Sequence, residues 1–470
     1  MTHFSPEQQI AFDKYVSGEN IFITGPGGSG KSYLIKKIAS HAKQNEKKIA
    51  VCAMTGCAAI LLNCNAKTLH SWAGIGLARG DDNPIVTRII TNKFKRNFWK
   101  YTDVLVLDEV SMLSVKLFNL LDLIGRRVRK SPLPFGGIQL VFCGDFFQLP
   151  PIGNDEEPES KQFCFESKLW NETFENSKGE QNQIELTTIF RQKNEMFAKI
   201  LNQIRVGRLT KTPYNTLLKY VGRKVDPDSP IRPTILYPTR NAVEQINRSE
   251  MAKLDTDTKE FACKRVELVD DEDKKEITSA KPKKEASDKQ KEMEEKYLVT
   301  NGLFENRLKL KKGAQVMCIA NVDMENGIYN GSQGIITGFT GEDLSIPIVH
   351  FANGVTRAMG PHTWLSENIP GLGVSQIPLI LAWAITIHKS QGSTLNMAEI
   401  DIGNGIFECG QSYVALSRVR DLDGLYLSAF NPQKIRVHTK VKQYYEQLKM
   451  IQKTNQKKDQ LIAPNPVAAV

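Results

Sequence analysis

Apolar residues in the first third of the chain occur in short continuous runs, separated by stretches with helical spacing. Four such runs predict buried strands: residues 21–24, 49–53, 104–107 and 138–143. Residues 5–16 form a predicted helix, with Ser5 as N-cap and Pro6 at the first helical position. The alternation predicts an α/β fold built on a parallel sheet.

The second half of the chain begins another α/β unit at the predicted strand 235–241 and then becomes rich in short strands. Residues 308–360 predict a small β-barrel-like module, with hairpin signals at Asn330-Gly331 and Asn353-Gly354. A terminal amphipathic helix is indicated by Val437, Val441, Tyr445 and Leu448.

Residues 264–296 interrupt this pattern, because they hold ten basic and eleven acidic side chains and no aromatic residue. Such a segment cannot bury enough apolar surface to offset the entropy lost on ordering. We therefore predict a disordered or loosely helical insertion there.

The composition narrows the class of protein. A chain of 470 residues is too long for one core, and two to four domains are expected. Its formal net charge of +10 suggests a polyanionic partner such as nucleic acid, although a generally basic surface explains it too. The eight cysteines contain no C-x-x-C pair, and neither a secretory signal nor an apolar run of membrane-spanning length is present. We expect an intracellular protein of the cytoplasm or nucleus, neither secreted nor bound in a membrane.

The strongest chemical signal is the stretch 25–32, Gly-Pro-Gly-Gly-Ser-Gly-Lys-Ser, which matches G-x-x-x-x-G-K-[ST] between a predicted strand and a predicted helix. Backbone amides of such a loop point at phosphate oxygens, and the helix N-terminus adds partial positive charge. Lys31 is predicted to reach the β- and γ-phosphates of ATP, and the Ser32 hydroxyl to bind Mg²⁺. The nucleotide-binding residues predicted here are Gly25, Gly27, Gly28, Ser29, Gly30, Lys31 and Ser32.

Polar side chains at the ends of later runs complete a hydrolytic site. Asp108 and Glu109 follow a buried strand, where Asp108 would hold the Mg²⁺ shell and Glu109 would orient and deprotonate water. Gln148 follows the next strand and is placed to sense the γ-phosphate, and Arg191 is a candidate phosphate-binding arginine. Gln8 lies about one helix length before the phosphate loop, where its amide could read an adenine edge.

Two stretches have the character of nucleic-acid contacts. Residues 67–74 mix small, hydroxyl-bearing and aromatic side chains, which suits backbone and stacking contacts to a single strand. Residues 79–100 interleave Phe94, Phe98 and Trp99 with basic side chains, although a solvated amphipathic helix explains that stretch about as well.

The order of these segments resembles that of superfamily-one helicases, and their detail is very similar to the petite-integration-frequency (PIF) family of DNA helicases. The resemblance covers roughly residues 5–430. It rests on the stretches 69–74, 109–113, 134–140, 144–151, 386–392 and 413–418. The charged stretch 264–296 looks like an insertion relative to the family pattern.

The resemblance implies an α/β protein with two RecA-like phosphate-loop domains, a small wedge insertion and an SH3-like β-rich insertion. The expected boundaries are a first domain over 1–180 with the wedge near 75–100, and a second over 181–260 and 370–435. The remaining segments are a charged, disordered insertion at 264–300, an SH3-like domain at 305–368, and a C-terminal helix and tail at 436–470.

The resemblance also implies function: ATP-driven, Mg²⁺-dependent translocation 5′ to 3′ on single-stranded DNA, and unwinding of forked DNA in replication, recombination or repair. Arg418 would stabilise charge on the transferring phosphoryl group, and Gln391 with Gly392 would help bind the nucleotide. DNA would be held by Thr55, Gly56, His70, Ser71, His388 and Lys389. We expect a monomer, and no pattern identifies a protein partner.

Three alternatives stay open from the sequence. Within the helicase class, a RecD-like or relaxase-type motor is the next candidate. A phosphate-loop phosphotransferase would leave the second α/β half unexplained. A non-catalytic nucleic-acid-binding module is disfavoured because Lys31, Glu109 and Arg418 are all present.

Overall fold

The computed structural model describes residues 4–462 apart from 63, 77, 193, 227–230, 268–286, 303, 342–344, 367–368, 370 and 404. Its helices are α1 (Pro6–Val16), α2 (Lys31–Gln44), α3 (Gly56–Leu62), α4 (Leu69–Ala73), α5 (Asp82–Thr91), α6 (Lys93–Tyr101), α7 (Val115–Arg129), α8 (Leu169–Thr173), α9 (Glu195–Arg205), α10 (Lys211–Leu218), α11 (Arg240–Ala252), α12 (Asp288–Asn301), α13 (Gln411–Leu416) and α14 (Thr439–Ile462).

The strands are short and mostly buried. They are β1 (Ile21–Thr24), β2 (Ile49–Ala53), β3 (Lys67–Thr68), β4 (Val104–Asp108), β5 (Gln139–Gly144), β6 (Gln183–Glu185), β7 (Thr234–Tyr237), β8 (Lys259–Ala262), β9 (Lys264–Glu267), β10 (Arg307–Leu310), β11 (Gln315–Cys318), β12 (Gln333–Phe339), β13 (Pro347–Phe351), β14 (Thr356–Ala358), β15 (His362–Leu365), β16 (Leu372–Gln376), β17 (Leu379–Leu381), β18 (Ala384–Thr386), β19 (Ala398–Ile402) and β20 (Leu425–Phe430).

The chain forms two compact units that do not follow the sequence in simple order. The first unit runs up to Tyr214 and also contains Phe407–Val414 and the chain from Pro432 onward. The second unit holds Asn215–Ile406 and Ala415–Asn431. The first unit extends past residue 180, the predicted end of the first domain, because β6 pairs with β1 in the same sheet.

The first unit is built on a six-stranded parallel sheet in the order β3-β2-β4-β5-β1-β6. Its central strands are apolar on both faces, and each face has its own core. Parallel strands in one sheet end at the same edge, so the residues that follow β1, β4 and β5 converge there. The four strands predicted for this region are confirmed to within one residue.

Helix α1 shows how local sequence fixes an element in this unit. The Ser5 hydroxyl accepts a hydrogen bond from the amide of Gln8, and the Gln8 side chain accepts one from the amide of Ser5, which is a capping box. Pro6 occupies the first turn, where its missing N–H costs nothing. The predicted helix and its N-cap are confirmed.

The second unit contains a four-stranded parallel sheet in the order β18-β7-β19-β20 and a five-stranded antiparallel sheet in the order β14-β13-β12-β11-β17. The predicted β-rich module is therefore present, with a core that includes Val316, Val349 and Phe351. Asn353-Gly354 makes the predicted hairpin turn, whereas Asn330-Gly331 lies in a longer loop between β11 and β12.

The prediction of a disordered or loosely helical insertion is wrong at the start of that segment, which is a strand, whereas its end is helical as the second alternative had it. Lys264–Glu267 is strand β9, which pairs antiparallel with β16. Asp288–Asn301 is helix α12, which Ser287 and Gln290 open with a capping box. Backbone pairing and local capping order these ends despite their low apolar content, and residues 268–286 lie outside the described part of the chain.

Among the described helices, none combines the length and the apolar character that a membrane crossing requires.

Candidate functional site

The phosphate loop leaves β1 and enters α2 through three glycines with positive φ: Gly25, Gly28 and Gly30. At Gly28 the conformation and the space both require glycine, because a Cβ there would lie 2.5 Å from the Cβ of Arg191. The Lys31 ammonium donates to the carbonyls of Gly25 (2.6 Å) and Pro26 (3.0 Å). Burial lowers the pKa of Lys31, and the nearby carboxylates of Asp145, Glu109 and Asp108 oppose that shift.

The segment Phe407–Val414 of the first unit contacts the phosphate loop. The hydroxyl of Tyr413 accepts a hydrogen bond of 2.7 Å from the backbone N–H of Gly27. Gly410 lies close to the carbonyls of Phe147 and Gln148, where an added Cβ would come within 2.4–2.5 Å of both oxygens. The segment Phe407–Val414 therefore packs directly on the phosphate loop and on the Gln148 turn. Sequence reasoning gave Tyr413 no role, and no local signal in the sequence would have done so.

Asp108 and Glu109 lie at the carboxyl end of β4, as predicted. The amide of Glu109 donates to the Asp108 carboxylate (2.9 Å), and Glu109 has a left-handed backbone with φ 58°. That conformation is uncommon outside glycine and concentrates at functional sites. Burial, with the adjacent Glu109, raises the pKa of Asp108 to about 7. A buried carboxylate beside a second, half-buried one is stabilised by a cation or a proton between them.

Several buried polar atoms around this edge have no hydrogen-bond partner among the described residues. They are the Ser29 hydroxyl, Oε2 of Glu109, Oε1 of Gln148 and both amide atoms of Gln192. Buried polar atoms in proteins are normally paired, so such a group of exceptions indicates a site for a polar ligand. Gln192 was not predicted as a site residue. Its Oε1 lies 3.1 Å from the position that a Cβ on Gly28 would take.

Arg191 lies against the phosphate loop in the same unit. The amide of Phe190 donates to the Gly28 carbonyl (2.8 Å), which fixes the arginine beside the loop. Burial lowers the pKa of Arg191, and the charges of Tyr413 and Glu109 act in the opposite direction. The predicted residues Lys31, Asp108, Glu109, Gln148 and Arg191 thus converge on one edge of the first sheet.

Gln8 also reaches the loop, but by contacts that were not predicted. It is 2% exposed, its Oε1 accepts from the amide of Ser5 (3.0 Å), and its Nε2 donates to the carbonyl of Ser29 (3.4 Å). Each amide atom keeps the capacity for one more hydrogen bond, so the adenine contact stays a prediction. Ser32 is exposed at the first turn of α2.

The second unit holds the other predicted nucleotide residues. Arg418 is 2% exposed and donates to the hydroxyl of Ser417 (2.8 Å). Gln391 is buried in the turn that follows β18, and its Nε2 has no partner within the part of the chain that the structure describes. Gly392 follows it with φ +82°.

The predicted DNA contacts fall in both units. In the first, the Thr55 hydroxyl accepts from the amide of Ala58 (3.2 Å) and so caps α3, with Gly56 at the first helical position. His70 and Ser71 lie on α4, and burial lowers the pKa of His70. His70 lines a cavity of about 310 Å³ whose walls also include Met54, Ser114, Lys116 and Ile152.

In the second unit, His388 and Lys389 lie in the same turn as Gln391. Burial lowers the pKa of His388, whereas Lys389 is exposed. The amide of Lys389 donates to the hydroxyl of Thr386 (3.1 Å). The turn therefore places a half-buried imidazole and an exposed ammonium at adjacent positions.

Comparison with known proteins identifies the relatives of this chain. Residues 3–215 match the family model of PIF1-like helicases, and residues 296–339 match that of the DNA helicase Pif1 2B domain. The ATP-dependent DNA helicase PIF1 of Xenopus laevis is 34% identical over 446 residues, which is 94% of this chain and 64% of that protein. The chain thus spans about 64% of the length of that curated relative.

Two solved structures have the same architecture. The crystal structure of the Pif1 helicase from Candida albicans is 34% identical, with a TM-score of 0.72 and coverage of 95% of this chain and 100% of that one. The Pif1 helicase from Bacteroides in complex with ADP-AlF3 and single-stranded DNA is 27% identical, with a TM-score of 0.62 and coverage of 95% and 97%. The expected architecture of RecA-like domains with a β-rich insertion is confirmed by these structures.

Proposed function

The chain belongs to the family of PIF1-like helicases, and on that premise we propose that it hydrolyses ATP to move 5′ to 3′ along single-stranded DNA and to unwind duplex DNA. The observation that carries the proposal is the convergence of Lys31, Glu109, Gln148 and Arg191 on one edge of the first sheet, beside buried polar atoms that lack protein partners among the described residues. A Bacteroides relative solved with ADP-AlF3 and single-stranded DNA supports both ligands.

The residues at this edge fit a nucleoside triphosphate with Mg²⁺. The Ser32 hydroxyl and the Asp108 carboxylate would hold the metal ion, since hydroxyl and carboxylate oxygens are its preferred ligands. The burial of Asp108 supports this assignment, because a cation would stabilise a carboxylate that is shielded from water. When bound, Mg²⁺ would neutralise charge on the β- and γ-phosphate oxygens.

Other residues of the first unit would bind the phosphates, accept the proton of the attacking water and sense the γ-phosphate. Lys31 would exchange its bonds to Gly25 and Pro26 for phosphate oxygens, and the N–H of Gly27 would leave Tyr413 for the same ligand. The Glu109 carboxylate would accept a proton from the attacking water through its unpartnered Oε2. Gln148 would sense the γ-phosphate with its free amide oxygen.

Arginines would complete the charge balance of phosphoryl transfer. Arg191 would bind the γ-phosphate from the first unit, and Arg418 would act from the second. Gln391 and Gly392 of the second unit are proposed as further nucleotide-binding residues. We assign both arginines because guanidinium groups bind phosphate oxygens in a bidentate fashion.

The proposed DNA contacts are with the phosphate backbone. In the first unit the backbone would be bound by Thr55, Gly56, His70 and Ser71. In the second unit it would be bound by His388 and Lys389. The cavity beside His70 and the exposed ammonium of Lys389 support these assignments. Cyclic release and binding by the two sets would move the strand.

Unwinding of two duplexes tests the proposal, one with a 5′ single-stranded tail and one with a 3′ tail, in ATP and Mg²⁺. We expect strand separation of the 5′-tailed duplex alone, lost on adding EDTA and in Lys31→Ala. Activity on the 3′-tailed duplex alone would reverse the proposed polarity. ATP binding without DNA-stimulated hydrolysis or unwinding would remove the motor function and leave only nucleotide binding.

A further inference from the structure

Helix α14, which follows the second unit in the chain, places the Tyr445 hydroxyl at the nucleotide edge of the first sheet. This hydroxyl lies 2.5 Å from the Thr24 hydroxyl, donates to the Asp145 carboxylate (3.2 Å) and accepts from the amide of Phe146 (3.2 Å). Thr24 ends β1, and Asp145 follows the end of β5. One oxygen atom therefore connects the ends of two neighbouring strands.

A buried ion pair with Arg205 holds the Asp145 carboxylate that the Tyr445 hydroxyl contacts. Asp145 is fully buried and accepts two hydrogen bonds from the Arg205 guanidinium (2.9 and 3.0 Å), while Glu185 accepts a third (3.2 Å). The Tyr445 ring stacks on Phe147, with centroids 4.4 Å apart at 20°. We call Thr24, Asp145, Arg205 and Tyr445 the Tyr445 cluster. Burial raises the pKa of Tyr445, and the Asp145 charge adds to that shift, so the hydroxyl keeps its proton.

The Tyr445 cluster lies next to both the phosphate loop and the Gln148 turn. Thr24 immediately precedes Gly25, the first residue of the phosphate loop, and Asp145 lies three residues before Gln148. The amide of Gln148 donates to the carbonyl of Asp145 (2.9 Å), so a shift of Asp145 moves that turn directly. We propose that Tyr445 is a positioning residue for ATP hydrolysis, whose hydroxyl sets the distance between the phosphate loop and the Gln148 turn.

The neighbouring tyrosine provides a matched control. Tyr444 is also buried on α14 and donates to Oε1 of Gln183 (2.5 Å), but Gln183 pairs with Phe22, two residues before Thr24. Tyr444→Phe and Tyr445→Phe each remove one buried hydroxyl from the same helix. Only the second removes a group that contacts both strand ends.

The inference rests on the proposed ATPase activity. That activity is tested separately, by measuring DNA-stimulated ATP hydrolysis in the wild-type protein. We would measure kcat and KM for ATP with saturating single-stranded DNA, and thermal unfolding, for both variants. We expect kcat/KM to fall about tenfold in Tyr445→Phe, as loss of a hydrogen bond to a charged group predicts, and to stay within about twofold in Tyr444→Phe. Thermal unfolding should show both variants folded at the assay temperature, with the larger loss in Tyr445→Phe, whose hydroxyl has three partners.

Thr24→Val removes the same contact from the side of β1. If the Thr24–Tyr445 contact positions the site, the double variant Thr24→Val/Tyr445→Phe should hydrolyse ATP no more slowly than the slower single variant. Equal kcat/KM in the two tyrosine variants, or additive losses in the double variant, would overturn the inference. Absence of DNA-stimulated hydrolysis in the wild-type protein would instead refute the proposed function.

Discussion

Replacing Arg205 with methionine tests how strongly the first unit depends on its buried ion pair. The variant keeps an apolar stem of similar length but removes the two guanidinium bonds to Asp145, which is 0% exposed. Breaking a buried pair on one side leaves an uncompensated charge, and such losses amount to about 3–5 kcal/mol. The lost contacts of the guanidinium with the Phe147 ring, 4.7 Å away, act in the same direction.

The assay is urea unfolding followed by tryptophan fluorescence, because Trp170 lies in the core of the first unit. Lys161→Met is the control, since its partner Asp155 is exposed and solvent screens that pair, so no measurable change is expected. Adding Asp145→Leu to Arg205→Met should restore part of the lost stability, because the buried charge is then removed. A loss below about 1 kcal/mol in Arg205→Met, or no recovery in the double variant, would refute this reasoning.

Three further predictions concern the proposed reaction. Glu109→Gln should keep ATP affinity and lower DNA-stimulated phosphate release by about 10²–10⁴-fold, and turnover within a few-fold of wild type would exclude Glu109 as the base. Arg418→Ala should bind a non-hydrolysable ATP analogue nearly normally but lose about 10³-fold or more in turnover, whereas lost binding would make Arg418 structural. Lys389→Ala should weaken single-stranded DNA binding and reduce the slope of log affinity against log salt by about 0.7, and an unchanged slope would remove Lys389 from the DNA contacts.

The local parts of the fold were predictable because their determinants are neighbours in sequence. The β4 strand is a continuous apolar run, and Ser5 and Pro6 mark the start of α1 by capping chemistry alone. The glycines of the phosphate loop identify it because the backbone conformation and the close approach of Arg191 exclude other residues. The convergence of Lys31, Glu109 and Gln148 follows from the parallel sheet, since strand ends share an edge.

The remaining features depend on contacts between residues far apart in the chain. Nothing near Tyr413 or Tyr445 indicates that their hydroxyls reach the phosphate loop and its preceding strand. Gln8 takes part in a capping box and contacts the Ser29 carbonyl, two roles that its spacing from the phosphate loop does not reveal. Strand β9 was missed because its pairing partner, β16, lies about a hundred residues away and supplies the order that its own composition lacks.

The core of the first unit includes Val441, Tyr444 and Leu448 of α14. During synthesis on a ribosome, the sheet strands of this unit emerge first, but the helix that covers part of their apolar surface emerges more than two hundred residues after β6. The second unit can therefore fold while the first is incomplete, and closing so long a loop adds entropic cost to the last step. The nascent protein then exposes this apolar surface until α14 has been translated, and exposed surface of this kind promotes aggregation.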